Sequence, residues 1–164
     1  MKSCLQYSVL LPAMLISAGC SKNAVDIQKP EIHLDIDGAF PRNCDTIYFD
    51  RPFVIRMLLS DNVQLGAYSI SFHHNFDHHS HTTEINTCEL EPLKNPVRPY
   101  TFINDFLIPD GLSNYEIELP MLIPSRTTEG LFDDGDYHFY ISVTDKEGWT
   151  TQKGLSIKLR YPKP

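Results

Sequence analysis

The sequence predicts an all-β protein: an immunoglobulin or fibronectin-III-like antiparallel β-sandwich following an N-terminal lipoprotein signal peptide. Three observations predict the sandwich. Apolar and polar residues alternate with a period of two in six separate stretches, and no stretch sustains the 3.6-residue period of an amphipathic helix. Prolines cluster between those stretches, at Pro92, Pro96 and Pro99 and again at Pro109, Pro120 and Pro124. Proline cannot donate to a strand ladder, so such clusters mark connections. Gly135-Asp136-Tyr137, at the head of the clearest stretch, has the form of the tyrosine corner of these sandwiches.

The strands follow in chain order. In strand A (31–37), Ile32, Leu34 and Ile36 share one face and His33 and Asp35 the other, the pattern of a half-buried strand. Strand B (53–60) alternates Phe53, Ile55, Met57 and Leu59 with Val54, Arg56 and Leu58, and Asp61-Asn62 turns the chain. Strand C (67–74) sets Tyr68, Ile70 and Phe72 against Ser69, Ser71 and His73. Strand E covers 114–119. Strand F (136–144) sets Tyr137, Phe139, Ile141 and Val143 against His138, Tyr140, Ser142 and Thr144; a turn at Asp145–Gly148 leads to strand G (154–161). Phe132–Asp136 is acidic but lacks the alternating carboxylates of a calcium loop, and reads as the turn before strand F.

The N-terminus reads as an address. Lys2 precedes the apolar run Val9–Ile16, and Ser17-Ala18-Gly19 leads into Cys20. The run is too short to span a bilayer, which takes about 20 residues, and has the form of a cleaved export signal. Small residues before a cysteine resemble a bacterial lipobox, with Ser17 where an aliphatic residue is usual. The expected organisation is a signal peptide over 1–19, a tether over 20–28 lipidated on Cys20, and the sandwich over 29–164. Cys44 and Cys88 then remain. Outside the cytoplasm an even pair is a candidate disulfide, two buried free thiols being the alternative.

Composition narrows the function. Lys and Arg number 14 against 21 Asp and Glu, a net charge of −7, so the chain lacks the basic face that a nucleic-acid partner requires. It carries no Gly-x-Ser-x-Gly elbow, no phosphate-binding glycine loop and no His-Glu-x-x-His, and no enzymatic activity is expected. The informative stretch is residues 72–82, FHHNFDHHSHT, which holds five of the seven histidines: His73, His74, His78, His79 and His81. Imidazole is the commonest side-chain ligand for zinc and copper, and Asp77 adds a carboxylate. Strands C and F are neighbours in such sandwiches. His73 and His138 are both out of phase with the core positions, so both project from one outer face. A folded-back His79 or His81 then joins them around one Zn or Cu ion, with Asp77 as ligand or orienter. The competing reading is a metal-independent recognition module for a protein or glycan, with the histidines as surface.

The stretch Leu65–His81, with His73, Asn75, Phe76, Asp77, His79 and His81 in the pattern His-x-Asn-Phe-Asp-x-His-x-His, resembles a family of Bacteroidetes lipoproteins known as domain-of-unknown-function family 4625. The likeness includes the Asp61-Asn62 turn and the later Gly135, Tyr137, His138 and Phe139 with the Asp145 to Gly148 turn, and covers most of 29–161. His74 and His78 stand where the family pattern varies. The resemblance implies an immunoglobulin-like domain at the cell envelope: an exported protein lipid-anchored to the outer membrane, on its periplasmic or surface face. It implies no established activity.

Overall fold

The computed structural model describes residues 25–163; the expected signal segment and the lipidation site Cys20 lie outside the described residues. Ten strands run β1 (Glu31–His33), β2 (Thr46–Tyr48), β3 (Phe53–Ser60), β4 (Leu65–His74), β5 (Phe102–Leu107), β6 (Asn114–Met121), β7 (Arg126–Thr127), β8 (Gly130–Leu131), β9 (Gly135–Asp145) and β10 (Thr150–Arg160). They form a three-stranded sheet β1-β3-β6, a five-stranded sheet β2-β10-β9-β4-β5, and a small β7-β8 ribbon. The two larger sheets face each other across the core.

The period-two pattern is what builds that core. Ile55, Met57 and Leu59 of β3 and Ile117 of β6 are fully or almost fully buried on one side. Tyr68, Ile70 and Phe72 of β4, the odd-numbered residues Tyr137–Val143 of β9, and Leu155, Ile157 and Leu159 of β10 are buried on the other. Phe72 packs edge-on against Phe139 at 5.1 Å between ring centroids, a favoured aromatic geometry. The tyrosine corner forms as its sequence suggests. Tyr137 donates its hydroxyl to the Asp133 carbonyl at 2.6 Å and accepts the Tyr100 N–H at 3.0 Å.

Strands expected at 53–60, 67–74, 114–119, 136–144 and 154–161 all appear, with ends moved by a few residues. Strand A is the correction: it stops at His33 instead of reaching 37. The chain bends away through Gly38, whose φ of 70° suits glycine, and Phe40 then bridges to Arg56 of β3. Four strands went unforeseen: β2, β5 and the two-residue β7 and β8, too short to show a period. β5 is an edge strand with Ile103 and Leu107 on its outward side, 74% and 88% exposed, so both of its faces are apolar and the alternation is hidden. β2 has three residues, too few for a period, and joins β10 in parallel.

Between β4 and β5 the chain forms no strand over residues 75–101, and folds back over the outer face of the five-stranded sheet. Its anchors are spread along its length. Asn75 N–H donates to the Asp136 carbonyl at 2.8 Å and Thr83 N–H to the Gly154 carbonyl at 3.0 Å. Cys88 is disulfide-bonded to Cys44, just ahead of β2. Glu91 N–H meets the Asp136 carboxylate at 2.6 Å, and the N–H groups of Val97 and Arg98 share the Asp133 carboxylate at 2.7 Å. The acidic run before β9 is therefore structural, as its reading as a turn implied. Since β2 covers only Lys158–Arg160 of β10, Asn43 and Thr83 satisfy the strand edge upstream, which closes an otherwise open edge.

Candidate metal centre

β4 and β9 are antiparallel neighbours in a register that sets His73 directly opposite His138. Both side chains leave the core face, because Phe72 and Phe139 occupy the inward positions. The returning loop brings His79 and His81 above them. A nitrogen from each of His73, His79 and His81 lies within 4.8 Å of the other two. The four rings of His73, His79, His81 and His138 form a compact cage, with all six centroid separations between 4.8 and 5.7 Å.

The hydrogen bonds assign the role of each ring. His79 Nδ1 contacts Asp77 Oδ1. A carboxylate only accepts, so Nδ1 carries the proton and Nε2 keeps its lone pair. A carboxylate behind an imidazole in this way fixes its tautomer and raises its basicity as a ligand. Asp77 therefore stands behind His79 as an orienter. His73 Nε2 and His81 Nδ1 lie 3.1 Å apart, close to the separation of two nitrogens sharing one tetrahedral ion, about 3.3 Å for bonds of 2.0–2.1 Å. His138 takes a different place from the ligand position expected of it. Its Nε2 donates to the His79 carbonyl at 3.0 Å, so it forms the floor of the cage and holds the loop over it. His74 and His78 lie outside the triad. His74 stacks near Phe76 at 5.0 Å, and His78 faces Asp136 at 3.9 Å.

Electrostatics suit a cation. Burial pushes the His73 imidazole down to about 4, with the His138, His81, His79 and His74 rings acting in the same direction. Burial likewise lowers His138, only partly offset by its bond to the His79 carbonyl. The His79 hydrogen bond holds the Asp77 carboxyl below its ordinary range. His73 is thus neutral at pH 7, the form that binds metal. A cleft of about 380 Å³ lined by Ser71, His73, His81, Thr82, Thr83 and Tyr140 reaches the triad from one side.

One residue essential to this arrangement was not singled out from the sequence. A Cβ on Gly154 would overlap the His81 carbonyl oxygen, so only glycine lets the loop backbone rest on β10. The Gly154 carbonyl also accepts from Thr83 N–H, and its N–H donates to Thr83 Oγ1 at 3.2 Å. The available signal was a lone glycine inside a strand pattern, which marks close backbone approach.

Residues 18–160 match the model of DUF4625, a domain of unknown function. Among curated proteins, none matches the chain. The match spans the sandwich, the histidine loop and both histidine-bearing strands, and the chain belongs to the DUF4625 family.

Proposed function

We propose that this protein is a metal-binding lipoprotein of the cell envelope, holding one Zn²⁺ or Cu²⁺ ion through His73, His79 and His81. Asp77 orients His79, and His138 supports the loop from beneath. The observation that carries this reading is the convergence of three imidazole nitrogens within 4.8 Å, brought together from a strand and a loop that is tied down at both ends. A solvated histidine-rich tail would have neither the anchors nor a carboxylate behind one ring. Imidazole ligands suit zinc and copper over the hard cations. Three protein ligands leave a fourth position open to the cleft, as suits a protein that receives and passes on metal. Binding is favoured over catalysis because the neighbouring groups are committed: Asp77 to His79, and His138 to the His79 carbonyl. The lipidated Cys20 anchors the domain to the outer membrane.

The test is metal content of the tag-free protein after brief exposure to equimolar zinc or copper and gel filtration, beside a His79→Ala/His81→Ala double variant. Close to one equivalent retained by the parent and lost from the variant is expected. Equal retention by both proteins, or none by either, refutes the site, and partner capture then becomes the next experiment.

A further inference from the structure

At the other end of the sandwich, three aspartates converge from separate parts of the chain. Asp26 lies in the segment leading into β1, Asp61 in the β3–β4 turn, and Asp145 at the end of β9. A carboxylate oxygen from each lies within 4.8 Å of the other two. In each case one oxygen is used by the turn that holds it. Asp26 Oδ1 accepts from Gln28 N–H and Asn62 Nδ2, both at 3.0 Å. Asp61 Oδ2 accepts from the Val63 and Gln64 N–H groups at 2.8 and 2.7 Å, and Asp145 Oδ1 accepts from Trp149 N–H at 2.8 Å.

The remaining oxygens make the case. Asp26 Oδ2, Asp61 Oδ1 and Asp145 Oδ2 are buried with no hydrogen-bond partner among the described residues. Asp26 and Asp145 are only 8% and 4% exposed. No positive side chain compensates them: Lys146, next to Asp145, sends its ammonium to Asp110 at 2.6 Å, and none of the ion pairs among the described residues includes the three carboxylates. Three buried carboxylate oxygens this close, none with a partner, form an acidic pocket whose unmet acceptors a bound cation would satisfy.

We infer that Asp26, Asp61 and Asp145 form a second metal site, separate from the histidines, that takes a hard divalent cation, Ca²⁺. An all-oxygen carboxylate set selects such an ion. At Ca–O distances of 2.3–2.6 Å, two oxygens on one ion are separated by up to about 5 Å, which accommodates the spacing here. The ion ties the N-terminal segment to the two turns beside it. Since Asp26 lies within the expected tether, Ca²⁺ sets how the domain stands relative to its anchor. The site lies roughly 25 Å from the histidine cage, by the length of β4 between Leu65 and His73.

Trp149, the only tryptophan, reports on the site, because its indole N–H donates to the Asp26 carbonyl at 3.0 Å. The test uses the full chain in detergent, stripped with chelator and titrated with Ca²⁺ alone. Calorimetry, melting temperature and Trp149 fluorescence are read together. The parent is expected to bind one equivalent, with Kd of about 0.1–1 mM as in extracellular modules, a raised melting temperature and altered Trp149 emission. Asp145→Asn keeps the Trp149 cap and Asp26→Asn touches no strand; each is expected to weaken Ca²⁺ at least tenfold and leave zinc retention unchanged. Absence of a Ca²⁺ response in the parent at millimolar Ca²⁺ overturns the inference, as does undiminished affinity in Asp26→Asn, which decides the matter even where Asp145→Asn fails to fold. Zinc retention tests the histidine site independently.

Discussion

Gly154→Ala probes the histidine cage without touching a histidine. The added methyl meets the His81 carbonyl, which is backbone and cannot swing aside. A carbon and an oxygen not bonded to each other need about 3.3 Å, so residues 81–83 must move off β10 by about 1 Å. Metal–ligand bonds tolerate about 0.2 Å, so the displaced His81 no longer meets the ion held by His73 and His79. Zinc affinity is expected to fall by at least tenfold, the lower end of what lost support of a ligand costs. Stability changes less. Two hydrogen bonds with Thr83 are lost, about 2 kcal/mol in all, while replacing a strand glycine by alanine returns about 0.5–1 kcal/mol. The net loss of about 1–1.5 kcal/mol lowers the melting temperature by roughly 2–6 °C for a domain of this size. Zinc competition against a chromophoric chelator measures the first effect and calorimetry the second. Unchanged zinc affinity in a folded Gly154→Ala protein would show that the loop does not rest on β10 as described, and the cage argument would fail with it.

Other outcomes follow from the same contacts. The metal-free protein is expected to lose stability as pH falls from 6.5 towards 4. His73 stays neutral in the fold down to about 4, whereas the unfolded chain takes up the proton near 6.5, and stability falls wherever the unfolded state binds more protons. At 1.36 kcal/mol per pH unit the loss is at most about 3 kcal/mol, and about half that after allowance for solvent screening; denaturant titrations at pH 7 and pH 4 measure it, and a His73→Gln variant should flatten the dependence. The Cys44→Ser/Cys88→Ser variant frees a loop closed across 44 residues, and should cost up to about 4 kcal/mol and weaken zinc binding, because Cys88 anchors the strand-free segment beyond His81. Tyr137→Phe leaves the buried Tyr100 N–H without its acceptor and should cost about 2 kcal/mol, with zinc retention intact; equal loss of zinc would mean that the corner and the cage are coupled.

Much of this molecule was legible in its residue order, because the information was local. A half-buried strand must alternate, so β3, β4, β6, β9 and β10 are written in their own residues. The tyrosine corner needs only Tyr137 and the turn before it. Even the pairing of His73 with His138 followed from side-chain phase once two strands were taken as neighbours, and the register places them opposite each other. What the sequence could not determine was which groups a loop brings back from a distance. The commitment of His138 to the His79 carbonyl, the need for glycine at 154, and the Cys44–Cys88 bond all depend on where residues 75–101 lie over the sheet. The aspartates make the point most clearly. Asp61 and Asp145 read as ordinary turn residues and Asp26 as part of a polar tether. Only the closing of the sandwich brings the three carboxylates together and buries Asp26 and Asp145, because close approach and desolvation depend on distances in space that spacing along the chain does not encode.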